Sequence, residues 1–191
     1  MSELHIHQRH LPYIERLDPR DVSAVDLVVI HCTELPDLAT AREYGERVYY
    51  PDSGTGNCGH YYIDRDGRVE QWVPPDRIAH HVRGFNEHSI GIELVNMGRY
   101  PHWLNSDAQQ MIEQYPRLQI ASLVSLVDFL CAAYPRLKWI NGHDQLDKAL
   151  VPASDKPAQR VRRKRDPGPL FPWNEVLAAV RLSPEIQQHP G

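Results

Sequence analysis

Cysteine is scarce in this chain. Three residues, an odd number, argue against a disulfide framework as the source of stability. Cys58 and Cys131 read as ordinary thiols, and Cys32 falls on the opposite face of a strand from its neighbour His31. Long apolar runs are also missing: no stretch approaches the ~18–20 residues needed to span a bilayer. The opening residues, Met1-Ser2-Glu3-Leu4-His5-Ile6-His7, lack a basic segment followed by an apolar one, so no secretory signal is expected. The expectation is a cytoplasmic protein, or one exported by a route that leaves no such signal. Positive charge is not in excess. A net charge of −4 provides no global basic field for nucleic acid. The glycines of residues 51–57 are not followed by Gly-Lys-Ser/Thr, which excludes a phosphate loop, and no His-Glu-x-x-His helix is present to make a zincin-type peptidase.

What is present suits a single domain with a full core: 191 residues, 41% hydrophobic and 24% charged. The pattern predicts a buried strand over 26–31 and a short helix from Leu38 to Val48, with Asp37 as N-cap. Arg65-Asp66-Gly67 between two β-prone runs predicts a hairpin. A strand over 89–95 sets Ile90, Ile92 and Leu94 on one face and Ser89, Gly91, Glu93 and Val95 on the other. Arg117–Ala133 is the clearest helix, with an apolar stripe of Leu118, Ala121, Leu123, Val124, Val127 and Leu130. Residues 137–140 form a short strand and 173–181 a closing helix. The fold expected is α/β, a central mixed β-sheet flanked by α-helices. Residues 1–24 read as an N-terminal arm, 25–182 as the functional domain and 183–191 as a tail.

Eleven histidines make chance pairs inevitable, and His5, His7, His10 and His189 lie in polar termini without an assigned role. His31 differs because it ends the run Val28-Val29-Ile30. His143 follows Gly142 after an apolar stretch, and Asp166 precedes Pro167-Gly168-Pro169. Two imidazoles and one carboxylate suffice to hold one zinc ion with a coordination position left open, the pattern of a catalytic rather than a structural site. On pattern alone, Glu93 is equally a solvated edge residue and a catalytic carboxylate. Lys164 lies in the basic run Arg160 to Arg165, ordinarily a solvated face, and is set apart by standing two residues before Asp166.

Five segments, in order, resemble the zinc-dependent N-acetylmuramoyl-L-alanine amidases of type 2 (AmpD-like), relatives of the peptidoglycan recognition proteins. They are Val28-Val29-Ile30-His31, His60 to Gly67, His88 to Leu94, Gly142-His143 and Arg163 to Pro169. The resemblance implies a type 2 amidase fold and His31, His143 and Asp166 as ligands to one Zn2+. It implies Glu93 as general base and proton donor, and Lys164 as oxyanion stabiliser. The reaction implied is hydrolysis, by metal-activated water, of the amide joining N-acetylmuramic acid, or its anhydro form, to L-alanine. The partner is then peptidoglycan or a muropeptide, and the protein a monomer. The alternative within the superfamily is a binding module without catalysis. His81, in Ala79-His80-His81-Val82-Arg83-Gly84, matches the family's Trp-His-Ala-Gly segment and is expected on the substrate groove with Asn86. Here His80 stands in place of the tryptophan. His60 reads as structural. Residues 99–115 and 144–162 are longer than in compact relatives and are as readily groove borders as plain surface.

Overall fold

The computed structural model describes residues 4–184. Six strands form one sheet in the order β1 (Ile6–Gln8), β4 (Val69–Gln71), β3 (Tyr61–Ile63), β5 (Ser89–Leu94), β2 (Leu27–Cys32), β6 (Trp139–Gly142). Only the β3–β4 hairpin pairs antiparallel; the other neighbours run parallel. The sheet is therefore mixed, and helices flank it. β2 is buried along its whole length, as expected of a central strand covered on both faces.

Alternation divides the sheet into two faces. Val28, Ile30, Ile90, Ile92 and Leu94 pack with Leu123, Leu126, Val127 and Leu130 of α2 (Arg117–Ala133) and Val176 of α4 (Trp173–Ala179). The other face carries Leu27, Val29 and His31 of β2 and Glu93 of β5, and belongs to α1 (Leu38–Gly45) and long connections. Asp37 caps α1, its carboxylate accepting from Thr40 N–H at 2.7 Å. A short α3 (His143–Leu146) follows β6, and a separate hairpin pairs β7 (Leu150–Pro152) with β8 (Arg160–Arg162).

Two expectations change. The stripe assigned to α2 is rotated: Leu118 is 65% exposed and Ala121 faces solvent, whereas Gln119 and Ile120 are buried. Gln119 turns inward because its amide donates to the carbonyls of Ile63 and Val95 at 2.9 and 3.0 Å, at the end of the sheet where β3 and β5 run out. Nor is the N-terminal segment a mere arm. Ile6–Gln8 add the edge strand β1, and Leu11, Tyr13 and Leu17 are core residues. At the other end, Ser183 bridges to Trp139, and the remainder of the expected tail, 185–191, lies outside the described residues.

Candidate metal centre

Parallel pairing sets His31 directly beside Glu93, and Tyr62 on Glu93's other side. This row lies near the carboxyl ends of its strands, where open α/β sheets place their ligand sites. His143 opens α3 immediately after β6. Asp166 comes from the irregular segment beyond β8. His31 Nδ1 lies 2.9 Å and His143 Nδ1 3.0 Å from the same Asp166 Oδ2, and the three residues' ligand atoms fall within 4.8 Å of one another. Donor atoms around a tetrahedral zinc with ~2.0 Å bonds are separated by about 3.3 Å, so this cluster needs little adjustment to accept the ion. All three side chains are buried. His143 Nε2 and Asp166 Oδ1 are buried without a hydrogen-bond partner, unusual in a folded interior unless the site has another use for them. The donor set fits a zinc ion.

Protonation favours the same use. Burial, then the neighbouring His143, hold the His31 pKa down to about 4 despite Asp166, which leaves the ring neutral near pH 7. Burial opposes ionisation of Asp166. His143, the hydrogen bonds from both imidazoles and Lys164 nevertheless hold its carboxyl well below the usual range. A neutral imidazole and an ionised carboxylate are the forms that ligate metal.

Behind His31 runs a relay. His31 Nε2 lies 2.9 Å from His81 Nδ1, His81 Nε2 lies 3.2 Å from Ser89 Oγ, and Ser89 O–H donates to the Phe85 carbonyl at 2.7 Å. Read as donors from His31 outward, the relay satisfies the ring atoms behind His31 and leaves its Nδ1 lone pair free for a metal ion held between it and Asp166. His81 is itself fixed, since Asn86 Oδ1 accepts from the backbone N–H groups of His81 and Val82 at 3.0 and 2.8 Å. The His81 ring packs on Gly91, where a Cβ would approach it to 2.6 Å. Room beside Glu93 comes from Gly59, whose Cβ would lie 2.9 Å from Glu93 Cγ. His60, read as structural, is buried, with Nδ1 accepting from Gly91 N–H at 3.0 Å.

Glu93 Oε1 lies 4.0 Å from His31 Nδ1. Burial, then the charge of Asp166, push its pKa up to about 8, with Lys164 acting against them. Lys164 shares the cleft, and its charge reaches His31, Glu93 and Asp166. The cleft is open and has a volume of about 650 Å³, the size range of small-ligand sites. His81 and Asn86 line it, as do Tyr49, Tyr50, Arg83 and Trp103. Glu34 and Arg99 line it too, as a buried ion pair. No local pattern marks these two, which are 65 residues apart in sequence.

The N-acetylmuramoyl-L-alanine amidase family matches residues 21–169, a span holding every residue of this cluster. The chain belongs to that family. Among curated relatives of the family, AmiD of Escherichia coli K12 is 32% identical over 117 residues, 57% of this chain and 37% of AmiD. The 1,6-anhydro-N-acetylmuramyl-L-alanine amidase AmpD of Enterobacter cloacae is 30% identical over 130 residues, 63% of this chain and 56% of AmpD. The chain thus spans little more than half, or less, of these two relatives. Solved structures agree on the fold: the amidase LysC of Clostridium intestinale superposes with a TM-score of 0.64 at 20% identity, over 94% of this chain and 99% of LysC. An AmpD derivative gives 0.62 at 23%, over 94% and 96%. The Drosophila peptidoglycan recognition protein SD gives 0.57 at 16%, over 75% and 85%, so the amidase fold extends to the recognition proteins.

Proposed function

We propose that this protein is a zinc-dependent amidase that hydrolyses the bond between N-acetylmuramic acid, intact or anhydro, and the L-alanine of peptidoglycan or muropeptides. The observation that carries the reading is the convergence of His31, His143 and Asp166 at 2.9–3.0 Å on the floor of an open cleft beside Glu93 and Lys164. Related proteins lend the substrate class. E. coli AmiD has been solved with anhydro-N-acetylmuramic acid-L-Ala-D-gamma-Glu-L-Lys, and AmpDh3 of Pseudomonas aeruginosa with an anhydromuramic pentapeptide.

In this reading His31, His143 and Asp166 hold the metal, and His81 fixes the tautomer of His31. Zinc, when bound, supplies the Lewis acidity that makes water nucleophilic near neutral pH. Glu93 accepts the proton of the attacking water and returns it to the departing L-alanine nitrogen. With Lys164 already beside it the Glu93 carboxyl still titrates at about 8, so the ionised form that a base needs would be favoured by a divalent cation on the three ligands, one of which, His31, lies 4.0 Å away. Lys164 meets the negative charge that develops on the carbonyl oxygen. His81 and Asn86, both on the cleft wall, are the proposed substrate contacts.

The test uses purified protein with a soluble anhydromuropeptide and with intact peptidoglycan, with and without a zinc chelator, products being identified by mass spectrometry. Release of a peptide with a free L-alanine amino terminus, lost on chelation and restored by zinc, is the expected result. Binding without cleavage by zinc-loaded protein would overturn it in favour of a recognition module.

A further inference from the structure

Lys164 and Asp166 are carried by a segment outside the sheet, and side chains from residues 99–115 hold it. Arg99, 3% exposed, is gripped by Glu34, 6% exposed. Its Nε and Nη2 donate to the two Glu34 carboxylate oxygens at 2.7 and 2.8 Å, and its backbone N–H donates to the same carboxylate at 3.1 Å. Of the remaining donors of the guanidinium, two reach the segment, Nη1 to the Arg162 carbonyl at 3.0 Å and Nη2 to the Arg163 carbonyl at 3.3 Å, and Nη1 also donates to Gln109 Oε1 at 3.3 Å. Tyr115 O–H donates to the Pro167 carbonyl at 2.6 Å. Met111 packs so closely on Gly168 that a Cβ there would lie 2.7 Å from its methyl group.

Glu34 is shaped for this one use. It has a left-handed φ of 49°, a strained conformation for a non-glycine residue. Gly98 lies against it, where any Cβ would approach Glu34 Cγ to 2.5 Å. Trp103 Nε1 donates to the Glu34 carbonyl at 3.1 Å. The two long connections are also stapled to each other. Ser106 N–H and O–H donate to the Asp155 carboxylate, both at 2.7 Å, Lys156 pairs with Asp107 at 2.7 Å, and Ser154 N–H donates to the Leu104 carbonyl at 2.8 Å.

We infer that Arg99, oriented by Glu34, is a positioning residue for the metal centre, fixing the backbone that presents Lys164 and Asp166, with residues 99–115 as its cradle. The inference rests on the zinc-amidase reading for its purpose, and on side-chain geometry alone for its substance. A guanidinium can bind a carboxylate with two donors and still reach two carbonyls; an ammonium in its place cannot. Replacing outer partners of a metal ligand typically costs about 10–100-fold in metal affinity or activity.

The experiment compares wild type with Arg99→Lys, Glu34→Gln and, as a control at the exposed staple, Lys156→Ala. Three readouts are taken: zinc affinity by competition with a chromophoric chelator, amide hydrogen exchange across the chain, and kcat and KM on an anhydromuropeptide. Arg99→Lys is expected to weaken zinc by about tenfold or more and to lower kcat more than KM changes. Exchange should accelerate over residues 160–168 but not in β2 or β5. Glu34→Gln, nearly isosteric, should move the same way by less, and serves alone if Arg99→Lys does not fold. Lys156→Ala should leave zinc affinity unchanged. Unchanged zinc affinity in both Glu34 and Arg99 variants would overturn the inference, as would exchange that accelerates uniformly over the sheet. Wild type that binds zinc but cleaves nothing removes the amidase reading, while zinc affinity and exchange still decide the role of Arg99.

Discussion

The site has two halves built on different principles. His31, Glu93 and His143 stand on or at the ends of adjacent parallel strands, so backbone pairing sets their spacing. Lys164 and Asp166 stand on irregular chain, placed by side chains that reach in from elsewhere: Arg99 and Tyr115 on one side, with the Asp144 N–H donating to the Asp166 carbonyl at 2.9 Å on another. Position in the first half follows from register. In the second it depends on a few buried polar contacts, each of which a single substitution can remove.

The largest expected effects come from one catalytic group in each half. Glu93→Gln keeps the shape of the strand residue and removes the proposed base, so kcat on an anhydromuropeptide should fall about 10²–10⁴-fold with zinc affinity retained. Lys164→Ala removes the proposed oxyanion donor and should cost about 10²–10³-fold. Full turnover in either variant would strip that residue of its role. Gly91→Ala attacks the strand-borne half through its relay. The new methyl meets the His81 ring, whose backbone is pinned by Asn86 and which has no free retreat. Zinc affinity measured by chelator competition should drop about 10–100-fold, with hydrogen exchange at 160–168 unchanged. If that segment loosens as well, the halves are not independent.

Tyr115→Phe probes the loop-borne half gently. Loss of the hydrogen bond to the Pro167 carbonyl should cost about 1 kcal/mol in urea unfolding and less than about tenfold in kcat. Smallest in turnover, though not in stability, is Leu123→Ala. Burial of Leu123 beneath the sheet predicts a loss of about 2–5 kcal/mol, with kcat per folded molecule unaltered. Leu118→Ala, on the exposed side of the same helix, should stay within about 0.5 kcal/mol. A large Leu118 effect would return the helix face to the orientation its sequence suggests.

That helix shows where the sequence is legible and where it stops. Pro116 and Pro135 bracket it, and its bounds follow from local chemistry. Its facing does not, because burial of Gln119 answers to carbonyls on β3 and beyond β5. β2, β5 and the hairpin were readable because a period of two and an Asp-Gly turn are local signals. β1 was not, since Ile6-His7-Gln8 offers too little apolar pattern and gains its place only by pairing with β4. The same division holds in the site. His31, Glu93, His143, Lys164 and Asp166 stand in short segments with recognisable neighbours. Arg99 on Glu34 is a partnership across 65 residues that no window of sequence contains, and Ser89, though only eight residues from His81, carries no pattern that aims its hydroxyl at the ring.

The staples between residues 104–107 and 154–156 bear on how the cleft could be re-engineered. Connections at the border of a binding cleft are the usual candidates for exchange between homologues when a new preference is wanted. Here they are not interchangeable trim: a graft of either one alone would arrive without its counterpart, and exchange of residues 99–115 would also remove the Arg99 and Tyr115 contacts to the segment that carries Asp166. The two have to be transplanted together, with Glu34 and Gly98, as one cassette.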